Sequence, residues 1–259
     1  MARRLGKRKA PLREKHMMHE QNKVDTGIFD DKTMISLSKF YNKGVIEKLE
    51  FLTARGKEAD VYLASPGNSD LVKGMDLVVV KFFRVETTSF HTMIEYMVGD
   101  PRFTKKISRK KKLGIVEVWC RKEFGNLEIA AKAGVLAPKP IMANGSILAM
   151  EFIGNGNVPA PQLKNVELSD PGKTLGTILD SMKRLYGRRL VHADVSEYNI
   201  LIKGEDEMPY LIDFGQAVST DHPNADMFLK RDVRNMVDYF AKHYGTKVVL
   251  EDAINAVIS

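Results

Sequence analysis

Cysteine is nearly missing from this chain. Cys120 stands alone, which excludes an intrachain disulfide and any zinc site built on cysteines. It sits beside Trp119 within a helical pattern, where it reads as an inert core thiol. Long apolar runs are missing as well: none approaches the roughly eighteen residues of a membrane span. The basic N-terminus has no apolar segment of the kind a signal peptide carries. No membrane association and a cytoplasmic location are therefore expected. No internal repeat and no heptad array is visible.

What is present is ordinary in amount and uneven in placement. With 44% hydrophobic and 28% charged residues over 259 positions, the chain can bury a substantial core as one large domain or two lobes. The formal charge of +7 is clustered. Residues 1–23 hold eight Lys/Arg against two acids, and residues 102–112 (Arg102, Lys105, Lys106, Arg109, Lys110, Lys111, Lys112) hold seven against none. Such clusters either form a solvated face or steer a protein toward phosphate backbones. Two of them favour an RNA-containing partner.

The apolar periodicity places a helix from Asp30 onward, with Met34, Leu37, Phe40 and Tyr41 on one face and Gly44 interrupting it. Strand-like runs follow at 49–52, 60–64 and 77–83, the last strongly β-branched and aromatic. Residues 84–104 read as polar and irregular, and a helix is expected through 105–133, stopped by Gly134 and Pro138. A buried strand at 147–153 runs into a loop from Gly154 to Pro161. Asp170-Pro171 marks an N-cap and first helical position, opening a helix to Gly187. Short strands at 199–203 and 209–213 bracket a turn, and helices close the chain at 224–243 and 246–258. The order is mainly β before residue 150 and mainly α after it: an α+β, two-lobed fold with a cleft between the lobes.

Two motifs carry the chemistry. Leu190 to Asn199 contains the pattern H-x-D-x4-N as His192, Asp194 and Asn199, and Asp213 follows fourteen residues later at the end of an apolar run, within Leu211-Ile212-Asp213-Phe214-Gly215. This is the pattern of a phosphoryl-transfer site using ATP with Mg2+ (Mn2+ as a possible substitute). Asp194 is placed to take the acceptor's proton. Asn199 and Asp213 offer the hard oxygens that magnesium prefers. His192 reads as a structural hydrogen-bonding residue. Lys81 ends an unbroken apolar strand, where a buried ammonium requires partners; phosphates and a carboxylate supply them. Glu123 is the favoured carboxylate and Glu117 the fallback. The turn at 53–61 covers the phosphates: set against G-x-G-x-x-G-x-V, Val61 anchors it, Gly56 keeps the middle glycine, and Ala54 and Ala59 stand in the other two places, with Lys57 at its tip. Met150 lines the back of an adenine slot, with the Glu151 carbonyl and Ile153 amide reading the base edge.

These motifs, with Lys122-Glu123-Phe124-Gly125-Asn126-Leu127, Met150-Glu151-Phe152-Ile153-Gly154, Ile212-Asp213-Phe214-Gly215-Gln216-Ala217-Val218, His222-Pro223-Asn224-Ala225 and Phe228-Leu229-Lys230-Arg231-Asp232, resemble those of Rio-type atypical serine/threonine protein kinases, the Rio-one subfamily above all. The resemblance spans about residues 30–258. It implies a protein-kinase-like fold with a basic N-terminal extension over 1–49, an N-lobe over 50–153 carrying a basic flexible insertion at 84–112, and a C-lobe over 154–259. It further implies serine/threonine kinase or ATPase activity with Lys81, Asp194 and Asp213 as catalytic residues, and work on the immature small ribosomal subunit and its rRNA. Phosphorylation of a protein substrate or of the chain itself is implied, as is an aspartyl-phosphate route falling on Asp213. The lack of long charged tails fits an archaeal source. One departure from ordinary protein kinases stands out: 46 residues follow Asp213, too few for the usual activation segment and substrate-binding helices. An ATPase switch that phosphorylates little, and a small-molecule phosphotransferase of the aminoglycoside or choline type, remain the alternative readings.

Overall fold

The computed structural model describes residues 30–84, 90–103 and 112–259; the first basic cluster and most of the second lie outside them. Helix α1 (Asp31–Asn42) starts where the Asp30 carboxylate accepts the Thr33 amide at 2.8 Å, the N-cap bond that satisfies an otherwise unpaired first-turn donor. It stops before Gly44, whose φ is +63° and where a Cβ would lie 2.0 Å from the Asn68 side chain. No other residue fits that corner.

Five antiparallel strands then form one sheet in the order β1-β2-β3-β5-β4: β1 (Ile46–Arg55), β2 (Ala59–Pro66), β3 (Val78–Phe83), β4 (Pro140–Asn144) and β5 (Ile147–Glu151). The first strand is longer than its apolar run suggested, and β4 carried no strand signal. Two-residue alternation along β3 decides the lobe's chemistry. Val78, Val80 and Phe82 face α1, in a core with Leu37, Phe40 and Ile147. Val79 and Lys81 point to the opposite side, into the cleft. Lys81 is paired across the sheet with Val61 and Leu148.

Residues 90–97, expected to be irregular, form helix α2 (Phe90–Met97). Eight residues are too few for a helix to stand alone, but Met93, Tyr96 and Met97 are buried, and Tyr96 packs on Phe228 at 5.0 Å between ring centroids. Tertiary packing, not intrinsic propensity, makes this helix. Helix α3 (Lys112–Lys132) runs through Gly114 and Gly125 without a break; the part of the expected helix before Lys112 lies outside the described residues.

A small hairpin, β6 (Gly154–Asn155) with β7 (Val158–Pro159), leads into the second lobe. Asp170 caps α4 (Pro171–Gly187) through the Lys173 amide at 2.9 Å, with Pro171 at the first helical position. Two short antiparallel ladders follow, β8 (Leu190–Val191) with β11 (Val218–Ser219), and β9 (Ile200–Lys203) with β10 (Met208–Leu211). They bring the two motif loops side by side. Helices α5 (Ala225–Tyr244) and α6 (Leu250–Ile258) close the lobe around a core containing Phe214, Phe228 and Phe240. No helix among the described residues is long and apolar enough to cross a membrane.

Candidate active site

A cleft of about 670 Å³ lies between the lobes. Its roof is the β1–β2 turn, with Ala54, Gly56, Lys57 and Val61 on the lining. Met150, Glu151 and Ile153 form one wall, and Lys81, Glu123 and Asp213 the polar end. The Glu151 amide donates to the Lys139 carbonyl at 2.8 Å, and its carboxylate accepts the Lys139 amide at 3.1 Å. The Ile153 carbonyl accepts from the Ala160 amide at 3.0 Å. The connection between the lobes is therefore fixed on both sides. A cavity this size with one apolar wall and one charged end fits a nucleotide.

Lys81 donates to both Glu123 oxygens at 2.9 and 3.0 Å and to Asp213 Oδ1 at 3.1 Å. The expected partner is thus Glu123, which is 1% exposed; Glu117 is not bonded to Lys81. Burial alone would favour a neutral amine, but the charges of Asp213 and Glu123 outweigh it and hold the Lys81 pKa above its ordinary value. The Asp213 side chain is 46% exposed. Burial of its surroundings would raise it, and Lys81 more than offsets this, so it stays below the usual carboxylate range.

Asp194 and Asn199 do not line the cleft itself. They are joined to each other: Asn199 Nδ2 donates to Asp194 Oδ2 at 2.8 Å and to the Asp194 carbonyl at 2.9 Å. That turns the neutral amide oxygen of Asn199 away from Asp194. Burial, reinforced by the charge of Asp213, pushes the Asp194 carboxyl up to about 6, against the opposing pull of Asn199 and Arg231. A base poised near neutrality is what proton abstraction at physiological pH needs. His192 is different. Burial pushes it down to about 4, so it is neutral, and its Nε2 donates to the Ile212 carbonyl at 3.2 Å while its ring meets Phe214 edge-on. It links the two motif loops and moves no proton.

A RIO-domain family model matches residues 60–253. The chain belongs to the RIO family of atypical kinases. Over 223 residues it is 39% identical to the RIO-type serine/threonine-protein kinase Rio1 of Haloferax volcanii, covering 86% of this chain and 73% of that one. Over 173 residues it is 46% identical to Rio1 of Thermoplasma acidophilum, covering 66% and 89%. Among solved structures, the Rio2 kinase-ADP/Mg2+-phosphoaspartate complex from Chaetomium thermophilum superposes with a TM-score of 0.64 over 88% of this chain and 66% of that one, at 21% identity. That similarity establishes the shared two-lobed, protein-kinase-like fold. Membership makes the chain an enzyme of the RIO kinase class, with the ATP-type site that class carries.

The RIO domain also shows supports beneath the motif loops, to which motif reading assigned no role. Two non-glycine residues in the motif loops have left-handed backbones, Ala193 (φ +63°) and Asp213 (φ +62°), a conformation that costs about 1–3 kcal/mol and persists only when its surroundings enforce it. Beneath Ala193, the Arg231 guanidinium donates to the Ala193 carbonyl, Asp232 accepts the Val195 amide at 3.2 Å, and Asn235 donates to the Val195 carbonyl at 3.1 Å. Burial pushes the Asp232 carboxyl up to about 8. All three sit on α5; the sequence signal was carried by Asp232, 0% exposed, a charge on the buried face of the helix with Phe228, Leu229 and Met236.

Proposed function

We propose that this chain is an ATP- and magnesium-dependent serine/threonine kinase and ATPase of the Rio1 type, acting in the cytoplasm on the immature small ribosomal subunit. The observation that carries the reading is the bridge of Lys81 between Glu123 and Asp213, beside a carboxylate, Asp194, poised near neutral pH. The adenine lies against Val61 and Met150, with its edge read by the Glu151 carbonyl and Ile153 amide. The triphosphate runs under the Gly56 turn toward Lys81. The donors fit magnesium: Asp213 at the polar end would supply a half-exposed anionic oxygen, and Asn199, outside the cleft lining but joined to the next loop through the Ile212 amide at 2.9 Å, a neutral one. When bound, the metal neutralises charge on the phosphates. Lys81 draws the phosphates into register, Asp194 orients the acceptor hydroxyl and takes its proton, and the γ-phosphoryl group passes to that oxygen as its bond to the β,γ-bridging oxygen breaks and ADP leaves. On the aspartyl-phosphate route, the half-exposed carboxylate of Asp213 is itself the acceptor and water releases the phosphate afterwards.

One observation favours the switch-like ATPase over phosphorylation of other proteins. From β11 the chain enters α5 after five residues, 220–224, so the stretch that forms a peptide platform in ordinary kinases is missing there. The basic segments 1–23 and 102–112 supply the attraction to rRNA. The test is ATP turnover with magnesium, for the native chain and Asp194→Ala, with and without purified immature small subunits. Turnover raised by the particle and lost in the variant supports the proposal. Turnover lost in the variant but indifferent to the particle removes the ribosomal partner and leaves the enzyme. Charge reversal at Lys110, Lys111 and Lys112 weakens salt-dependent particle binding if the second basic segment contacts rRNA.

A further inference from the structure

We infer that Lys122 and Asn126 are positioning residues for Asp213, holding the main chain behind it so that its carboxylate meets the metal and phosphates in one fixed orientation. The inference rests on the reading of Asp213 as the metal carrier. Lys122 is 0% exposed, and its Nζ donates to the carbonyls of Gly215 and Ala217 at 2.6 and 2.7 Å. Asn126, one helical turn on, donates through Nδ2 to the carbonyls of Phe214 and Ala217, both at 2.9 Å. Two side chains thus gather three of the four carbonyls that follow Asp213. The far side of the clamp is tied down too. Asn126 Oδ1 accepts from Arg102 at 2.9 Å, Arg102 grips Asp100, and Asp100 accepts the Ser219 amide at 3.1 Å. Trp119 closes the gap: a Cβ on Gly215 would stand 3.1 Å from its indole.

The chemistry of Lys122 argues for a role beyond filling space. A buried amine bonded to carbonyls gives up hydration that a methionine of similar length would not. What methionine lacks is the donors. A left-handed Asp213 with a half-exposed carboxylate needs outside restraint, since its side chain is held by Lys81 and by the amide of Gly215, itself part of the same loop, and these donors supply it. Glu123 belongs to the same helix, α3. The Lys81 pair and the Asp213 loop are therefore carried by one rigid element. In switchable kinases the lysine–glutamate pair is broken by moving its helix; here that movement would strip four buried hydrogen bonds, so the pair persists with or without nucleotide.

The experiment measures Mn2+ binding by electron paramagnetic resonance to the protein–ADP complex, and ADP binding in EDTA by calorimetry, for the native chain, Lys122→Met, Asn126→Ala and Asp213→Asn. Loss of groups that orient a metal-binding side chain weakens metal affinity by about 10–100-fold. Lys122→Met and Asn126→Ala are expected to weaken Mn2+ by about tenfold or more while metal-free ADP affinity stays within about threefold, and to lower kcat with little change in KM for ATP. Native Mn2+ affinity in a folded Lys122→Met or Asn126→Ala, or parallel loss of metal-free ADP binding, overturns the inference. Asn126→Ala keeps the lysine in place and serves if Lys122→Met does not fold. Asp213→Asn is expected to abolish Mn2+ binding; if it does not, the assignment of Asp213 fails and the inference with it.

Discussion

The roof and the floor of the cleft are built on opposite plans. The roof, residues 53–61, is held by strand register, by main-chain bonds such as the Gly56 amide on the Ala59 carbonyl at 2.9 Å and the Arg84 amide on the Glu58 carbonyl at 2.8 Å, and at its base by Arg84 and Arg55 on the Asp60 carboxylate. Most of β1 toward that turn is exposed. The floor, residues 190–199 and 211–219, is gripped from behind by buried side chains: Arg231, Asp232 and Asn235 under the first loop, Lys122 and Asn126 under the second. A roof pinned at its base leaves its exposed tip, residues 54–57, room to adjust. A floor with the proposed role in proton transfer has to stay in place, because an error of about 1 Å there costs about 10²-fold in rate. Strain follows the same division: both left-handed non-glycine residues of the motif loops, Ala193 and Asp213, are in the floor.

Substitutions in the floor should therefore cost far more than substitutions in the roof. Asp194→Ala is expected to lower kcat for ATP turnover by about 10²–10⁴-fold, the usual contribution of a positioned base, with nucleotide affinity nearly unchanged in a binding titration. Lys81 lies on β3 but is bonded to Asp213 of the floor. Lys81→Met strands Glu123 at 1% exposure and should lower stability by about 3–5 kcal/mol, the cost of breaking a buried pair by removing one partner, measured by urea unfolding. Asp232→Ala leaves the Val195 amide without its acceptor; about 1–3 kcal/mol of stability should go, and kcat should fall although the residue lies behind the loop. Unchanged kcat there would break the comparison.

The pH profile sharpens it. On the proposed mechanism Asp194 works as a base in its ionised form, and its pKa is raised to about 6. Activity should therefore be near full at pH 7 and fall as the carboxylate protonates, to roughly a tenth at pH 5; an acid limb near 4 in the rate profile would contradict the buried setting. The smallest effect belongs to the roof. At Gly56 a Cβ would stand 3.2 Å from the Ala59 carbonyl, with no left-handed φ to forbid it. Gly56→Ala should stay within about 0.5 kcal/mol in thermal unfolding, which a turn as rigid as the floor would not permit.

Much of this was legible in the residues, unevenly. Asp30 and Asp170-Pro171 announce their helices because capping is a local bond between a side chain and an amide three residues on. The two-lobed fold is readable because strand and helix periods switch near residue 150. The polar stretch before residue 104 was misleading, since α2 exists only through Met93, Tyr96 and Met97 buried against the second lobe. The strand β4 was missed because its residues, Pro140–Asn144, are only partly apolar and take their pairing from β5.

The sequence by itself determined which residues could do the chemistry: H-x-D-x4-N, a later metal-type aspartate and a lysine ending an apolar strand are chemical patterns with fixed local spacing. Only the tertiary structure decided which groups meet. It paired Lys81 with Glu123 rather than Glu117, brought Asp213 within 3.1 Å of that lysine, raised Asp194 toward neutrality, and set Lys122, Asn126 and Asp232 beneath the loops. Each of those depends on burial and on partners far apart along the chain. No local pattern records the desolvation of a charge or the distance to a residue ninety positions away.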